Sequence, residues 1–195
     1  MPIEQVEFNT IITFLGMLCA MAQGITGYYA AYFRKRTALL KTNTTLAAAH
    51  RAFGNFATTL YGLGLFAGVN GLIGALTHNE PPLELQSASF NIHTWGSFPV
   101  FAIVVWKLWR SYFDKKPLYG KQKWLGIAMF TAWAYTWLTA AVSYYERTQP
   151  ANLQHPEPVF LLPYEWLGVQ LVLPFVLGGI IGALVVRRAA TMEAK

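Results

Sequence analysis

From Thr45 to His78 the chain reads TLAAAHRAFGNFATTLYGLGLFAGVNGLIGALTH, with Arg51 as its only lysine, arginine or acid. As a helix this stretch measures roughly 50 Å at a rise of about 1.5 Å per residue, more than the ~30 Å hydrocarbon layer of a bilayer. That layer holds no water to satisfy open backbone groups, so such a segment is constrained to be helical. Steps of four and three along it meet His50, Gly54, Ala57, Tyr61, Gly64, Gly68, Gly71, Ala75 and His78, which places them on one seam. A straight helix drifts from that ladder by about 20° per heptad, which moves His78 off the face marked by His50. The seam is almost bare of bulk and looks like the stretch around which the rest of the chain is organised. Two occupants suit it. Glycine and alanine let a neighbouring helix backbone approach. The same shallow face takes a flat tetrapyrrole, with His50 as ligand to its metal.

Composition sets the class. The chain has 195 residues and is 54% hydrophobic and 12% charged, where soluble domains carry about 25% charged residues. Apolar runs at about 8–33, 45–77, 91–113, 124–145 and 165–186 predict five spans, an all-α integral membrane bundle in a single transmembrane domain. Pro99 and Pro174 fall inside runs and are expected to bend them. Arg34, Lys35, Arg36, Lys41 and Arg51 flank the first linker, and Lys107, Arg110, Lys115, Lys116, Lys121 and Lys123 the third. Arg187, Arg188 and Lys195 form the tail, so all but one of the 15 basic residues, Arg147, share a side. The positive-inside rule then puts the N-terminus outside and the C-terminus inside. The net charge of +6 is thereby a topology signal and not a mark of nucleic-acid binding. The acidic start MPIEQVE lacks the basic region of a secretory signal, so the first span is expected to be retained.

Trp106, Trp109 and Trp124 on the inner side, and Trp95, Tyr144, Tyr145, Tyr164 and Trp166 on the outer, read as aromatic belts. Lys107 and Arg110, near the end of the third span, are expected to snorkel inward. Cys19, the one cysteine, is expected to pack in the core.

No Asp or Glu falls in the middle of a predicted span, which argues against a pump or secondary transporter. No phosphate-binding loop, Cys-x-x-Cys, His-Glu-x-x-His or Ser-His-Asp arrangement is present. The candidates for chemistry are the 4 histidines. His50 lies near the inner edge of the second span, His78 and His93 at the outer edge, and His155 in the outer loop. His50 and His93 are then roughly 20 Å or more apart and cannot both ligate one iron. His93 could instead meet His78 or His155 in a bis-histidine haem or a small metal site, or simply pack at its helix start. Met129 shares the depth of His50 and could complete a His/Met b-type haem, or fill the core. A lone His50 suits the magnesium of a chlorophyll-type pigment. Arg51 or Lys123 could pair with a propionate at the inner surface, or snorkel.

The strings AAAHRAFG, GLFAGVNG and NIHTWGSF resemble an uncharacterised family of small membrane proteins of cyanobacteria and plastids, related to diheme transmembrane b cytochromes. The resemblance covers about residues 45–146. It implies a histidine opening each of the second, third and fourth helices. His50 and His93 match the first two positions, whereas Lys121-Gln122-Lys123-Trp124 holds none at the third, so a pairing across spans two and four is not implied. It implies a tetrapyrrole or electron-transfer setting, with a thylakoid or bacterial inner membrane as the expected location.

Three function classes remain. The first is a subunit of a redox or photosynthetic complex holding a b-type haem or (bacterio)chlorophyll at His50 or His93. The second is a cofactor-free accessory subunit that packs against and stabilises a large membrane complex. The third is a membrane enzyme or quinone-reactive protein using His78 or His155. Expected partners are the lipid bilayer, other membrane subunits and, on the third reading, quinone.

Overall fold

The computed structural model describes residues 5–33, 44–77, 88–113, 118–147 and 161–193. Five helices carry nearly all of them: α1 Gln5–Tyr32, α2 Thr45–Thr77, α3 Ala88–Tyr112, α4 Leu118–Arg147 and α5 Leu167–Glu193. A short 3-10 turn, Tyr164–Trp166, leads into α5. Thr44 caps α2, its hydroxyl accepting from the Ala47 amide at 3.2 Å, which satisfies one of the open donors at a helix start.

Among the described residues, four stretches are long and apolar enough to cross a membrane: Glu7–Tyr32, Thr45–Asn70, Trp124–Glu146 and Tyr164–Met192. The expected fifth, in α3, has the length, at 25 residues, but Asn91, His93, Ser97, Lys107 and Arg110 make it more polar than the others. The fourth helix starts earlier than the sequence suggested. It begins at Leu118 and takes in Lys121-Gln122-Lys123, residues that favour helix intrinsically and that follow Pro117, a good neighbour for a helix start. Of the loops expected at 37–44, 79–89, 114–123 and 146–164, residues 37–43, 79–87, 114–117 and 148–160 lie outside the described residues.

Side-chain contacts fix the order of the bundle. On α1 and α2, His50 meets Gly27 while Gly64 meets Asn9, so the two are antiparallel. On α1 and α4, Gly24 meets Phe130 and Gly16 meets Trp133, and the Phe14 and Trp137 rings lie 5.4 Å apart edge to face, again antiparallel. On α1 and α5, Leu18 meets Gly178 and Ile25 meets Gly182, so this pair is parallel. One end of the bundle thus gathers the C-terminal ends of α1, α3 and α5 with the starts of α2 and α4. Arg51, Lys107, Arg110, Arg187 and Arg188 belong to that basic end. Glu7, Glu146 and Glu165 belong to the opposite, acidic end.

The organising helix is α1, not the glycine-seamed α2. It packs on α2, α4 and α5, whereas α3 packs chiefly on α4. The seam of α2 is covered by α1 over its first half: a Cβ at Gly54 would collide with the Gln23 amide, and one at Gly64 would lie 3.0 Å from Asn9 Oδ1. At Gly68 a Cβ would meet nothing within 4 Å. The tightest backbone approach is elsewhere. Gly178 and Gly182 form a G-x-x-x-G pair on α5, a spacing that lets helices touch. A Cβ at Gly178 would strike the Leu18 carbonyl oxygen, and one at Gly182 would stand 2.8 Å from Ile25 Cβ.

Met17 and Ala20 of α1, Ala57 of α2, Val100 and Val104 of α3, and Met129, Trp133, Trp137 and Ala141 of α4 form the main core. Cys19 packs against its edge. Pro174 lacks an N–H for the α5 ladder; in the same turn the Trp137 indole donates to the Leu171 carbonyl at 3.0 Å. Tyr144 and Tyr145, expected in an interfacial belt, are instead core residues, 2% and 0% exposed. Burial is open to Tyr145 because its hydroxyl donates to the Leu162 carbonyl at 2.7 Å. Trp95, Trp106, Trp109, Trp124, Tyr164 and Trp166 are exposed, as a belt requires.

Gly178→Leu and Gly182→Leu are each expected to lower the unfolding midpoint in detergent, at a cost of at least about 1–3 kcal/mol from overpacking. Gly68→Leu should leave it unchanged. Equal midpoints for the three variants would contradict the α1–α5 contact.

Candidate functional site

The two histidines singled out by sequence are each held by a threonine of a neighbouring helix. His50 sits early in α2, half-buried, with Nδ1 3.0 Å from Thr26 Oγ1 of α1. Thr26 is itself 3.1 Å from the Ala22 carbonyl and 2.9 Å from that of Gln23. A helical threonine gives its one proton to such a carbonyl. It then offers His50 a lone pair, and the ring donates from Nδ1. In that tautomer Nε2 carries the lone pair, the form that ligates metals. Two glycines make room for this arrangement. A Cβ at Gly27 would press on His50 Cε1 at 3.1 Å, and Gly54 clears the Gln23 amide, whose Nε2 donates to the His50 carbonyl at 3.3 Å.

His93 in α3 repeats the pattern at the acidic end. Its Nδ1 is 2.9 Å from Thr139 Oγ1 of α4, and Thr139 donates to the Tyr135 carbonyl at 2.8 Å. Between Phe14 and Thr26 α1 rises about 18 Å, and Thr139 lies just beyond Trp137, the partner of Phe14. The two imidazoles are therefore roughly 20 Å apart along the bundle, as separate centres.

The other candidates are placed as follows. Met129 is buried in the core with Ala20, Ala57 and Val104, and Thr26 and Gly27 lie against the His50 ring. Arg51 is exposed beside His50. Lys107 does not snorkel: its Nζ donates to Thr58 Oγ1 of α2 at 3.3 Å, on the same side of the bundle as His50. His78, His155 and the Lys123 side chain lie outside what is described. Among the described residues no group of three or more His, Cys, Asp or Glu is placed to hold a metal ion.

A second polar centre escaped the sequence. At the acidic end Glu7 is 2% exposed and Gln170 4% exposed. Glu7 Oε1 accepts from the Leu161 amide and Gln170 Oε1 from the Leu162 amide, each at 3.2 Å. With Tyr145 these side chains tie the segment before α5 to α1, α4 and α5 at once. The available signal was a lone acid and a lone amide opening two otherwise apolar helices. Glu7 reads instead as part of an exposed acidic terminus, because its partners are backbone groups of a segment that carries no motif.

Comparison with known proteins finds no family model that matches this chain, and no curated protein or solved structure similar to it.

Replacing Glu7 with Ala leaves the Leu161 amide without its acceptor, at a cost of about 1–3 kcal/mol for a buried donor. Hydrogen exchange read by mass spectrometry should accelerate at Leu161 and Leu162 while the centre of α4 stays protected. Unchanged exchange in that segment would mean that Glu7 does not hold it.

Proposed function

We propose that this chain is a multi-pass membrane subunit that holds a tetrapyrrole through a single axial ligand, His50. The carrying observation is the anchoring of His50 Nδ1 on Thr26, a hydroxyl already committed to its own helix. A fixed ring with its second nitrogen left as a lone pair is the arrangement of a metal-ligating histidine with its outer-shell partner. The reading takes one protein ligand, with Met129 committed to the core cluster. A b-type haem bound there would supply a one-electron couple, and a chlorophyll-type pigment would supply light absorption. His93, anchored on Thr139 in the same manner, is the second candidate ligand.

The reading includes α3 as a fifth span, with the basic end inside and the N-terminus outside. Support comes from the sorting of charge among the described side chains, with Arg51, Lys107, Arg110, Arg187 and Arg188 at one end and Glu7, Glu146 and Glu165 at the other. The resemblance at His50 and His93 points the same way, to a thylakoid or bacterial inner membrane. Partner subunits would lie against α2 and α3, whose Phe56, Phe66, Phe98 and Trp106 are exposed.

One observation favours a cofactor-free accessory subunit instead. The first half of the glycine seam is filled by Gln23, Asn9 and Ile12 of α1, which is what helix packing alone would produce. A quinone-reactive or enzymatic role rests on His78 and His155 and gains no support from the described residues.

Absorbance of the chain, extracted gently from its native membrane, air-oxidised and then reduced with dithionite, separates the two readings. Haem or pigment bands are expected. They should vanish in His50→Ala, and cofactor affinity should fall about 10- to 100-fold in Thr26→Val. A colourless, folded protein from native membranes would refute the tetrapyrrole reading and leave the accessory one.

A further inference from the structure

Lys107 is a half-buried cation, and its ammonium is turned sideways into the bundle. It lies about 8 Å of helical rise inside Tyr112, the end of α3. A lysine at this depth ordinarily extends to the headgroups. Here it reaches across to α2 and donates to Thr58 Oγ1 at 3.3 Å. Thr58 has already given its proton to the Gly54 carbonyl at 2.8 Å, so it serves as acceptor only. An ammonium has three donors, and one hydroxyl neither fills them nor neutralises the charge. The acidic residues whose side chains are described, Glu7, Glu146 and Glu165, are all at the other end of the bundle. Burying a charge without an anion is costly.

The surroundings indicate the shape of an anion that would suit the ammonium. α2 leans on α1 and α3 leans on α4, and α2 and α3 hardly pack on each other. Side chains bridge the cleft between them, with Ala57, Val100 and Val104 at its floor. Gly62, one turn from Thr58 on the same face of α2, is exposed, and a Cβ there would meet nothing within 4 Å. The slot below the ammonium is therefore open and apolar. Towards the basic end, Arg51 continues the Thr58 face of α2 and Arg110 the Lys107 face of α3. Cations above an apolar slot, between two helices at the basic end, match an anionic phospholipid.

We infer that Lys107 and Thr58 form a binding site for the phosphate of an anionic phospholipid, whose acyl chain lies in the α2–α3 cleft along Gly62. This needs only the membrane setting and not the ligand role of His50, so lipid binding and cofactor absorbance can fail separately.

The test is native mass spectrometry of the full chain, delipidated in detergent, with phosphatidylglycerol, phosphatidylcholine or inorganic phosphate added. One phosphatidylglycerol is expected to bind, preferred over phosphatidylcholine. Lys107→Met should weaken it about five- to tenfold. Lys107→Arg should retain it. Thr58→Val, which alters no charge and guards against a folding defect in Lys107→Met, should weaken it less. Arg187→Gln removes a charge at the same end and should change nothing. Phosphatidylglycerol affinity within twofold of the original in Lys107→Met would overturn the site, and so would an equal loss in Arg187→Gln. Inorganic phosphate binding as well as the lipid would overturn the lipid assignment. Loss of lipid selectivity in Asp114→Asn equal to that in Lys107→Met would place the counter-ion within the chain and overturn the proposal as well.

Discussion

The parallel contact of α1 with α5 is the constraint on which the rest depends. Lipid chains are as apolar as leucine, so burying apolar surface does little to bring membrane helices together. Close packing and hydrogen bonds must do it. Gly178 and Gly182 let α5 come close enough for Leu18, Met21 and Ile25 to seat on its backbone. Only then is α1 free to present its other faces to α2 and α4, with Gly16 under the Trp133 ring and Gly27 under His50. Each partner of α1 is therefore met through a residue without a side chain. α3 is attached chiefly through α4, where Gly96 accommodates Tyr135, and it reaches α2 through Lys107.

Polar contacts between helices are built by one repeated device. Thr26, Thr58 and Thr139 each donate to a carbonyl one turn earlier in their own helix, and each then faces His50, Lys107 or His93 of a neighbour. The helix backbone is otherwise saturated and can accept little. A threonine turned onto its own carbonyl becomes an acceptor fixed in direction, because its χ1 is stiff and its proton is committed. In a low-dielectric interior such a fixed acceptor orients a ring or an ammonium more firmly than it would in water.

Much of the architecture was legible in the sequence, because bilayer length and helical periodicity are local properties. The helical content, the sorting of Arg51, Lys107, Arg110 and Arg187 to one end, and the smallness of the α2 seam all follow from composition and spacing. The identity of neighbours does not. Periodicity gives the face on which Gly54 and Gly64 lie, but Gln23 and Asn9 as its occupants depend on which helix arrives. The pair Gly178 and Gly182 has a spacing as suggestive as that of α2, but spacing does not say which small-residue pair a neighbouring backbone meets. Tyr144 and Tyr145 stand near a helix end, where an exposed belt is the ordinary case. Tyr145 is buried because a carbonyl at Leu162 receives its hydroxyl, a partner supplied by the segment read as a loop. His50 and His93 were recognisable as the residue types that do chemistry. Their threonines were not, since a threonine in an apolar run has no distinguishing pattern.

The two ends of the molecule differ in a way that bears on what each can do. At the acidic end Glu7 and Gln170 have their acceptor oxygens engaged by backbone amides, and Tyr145 has its proton engaged by a carbonyl. These groups are buried between α1, α4 and α5, and a centre so fully committed holds the chain in place. At the basic end the engaged atoms are fewer than the available ones. His50 uses Nδ1 and makes no other ring hydrogen bond among the described residues, and Lys107 uses one donor of three. Lys107 faces α2 across the α2–α3 cleft, and the His50 ring sits against α1. Binding requires unused valence, and the described residues leave it at His50 and Lys107 and not at the acidic end.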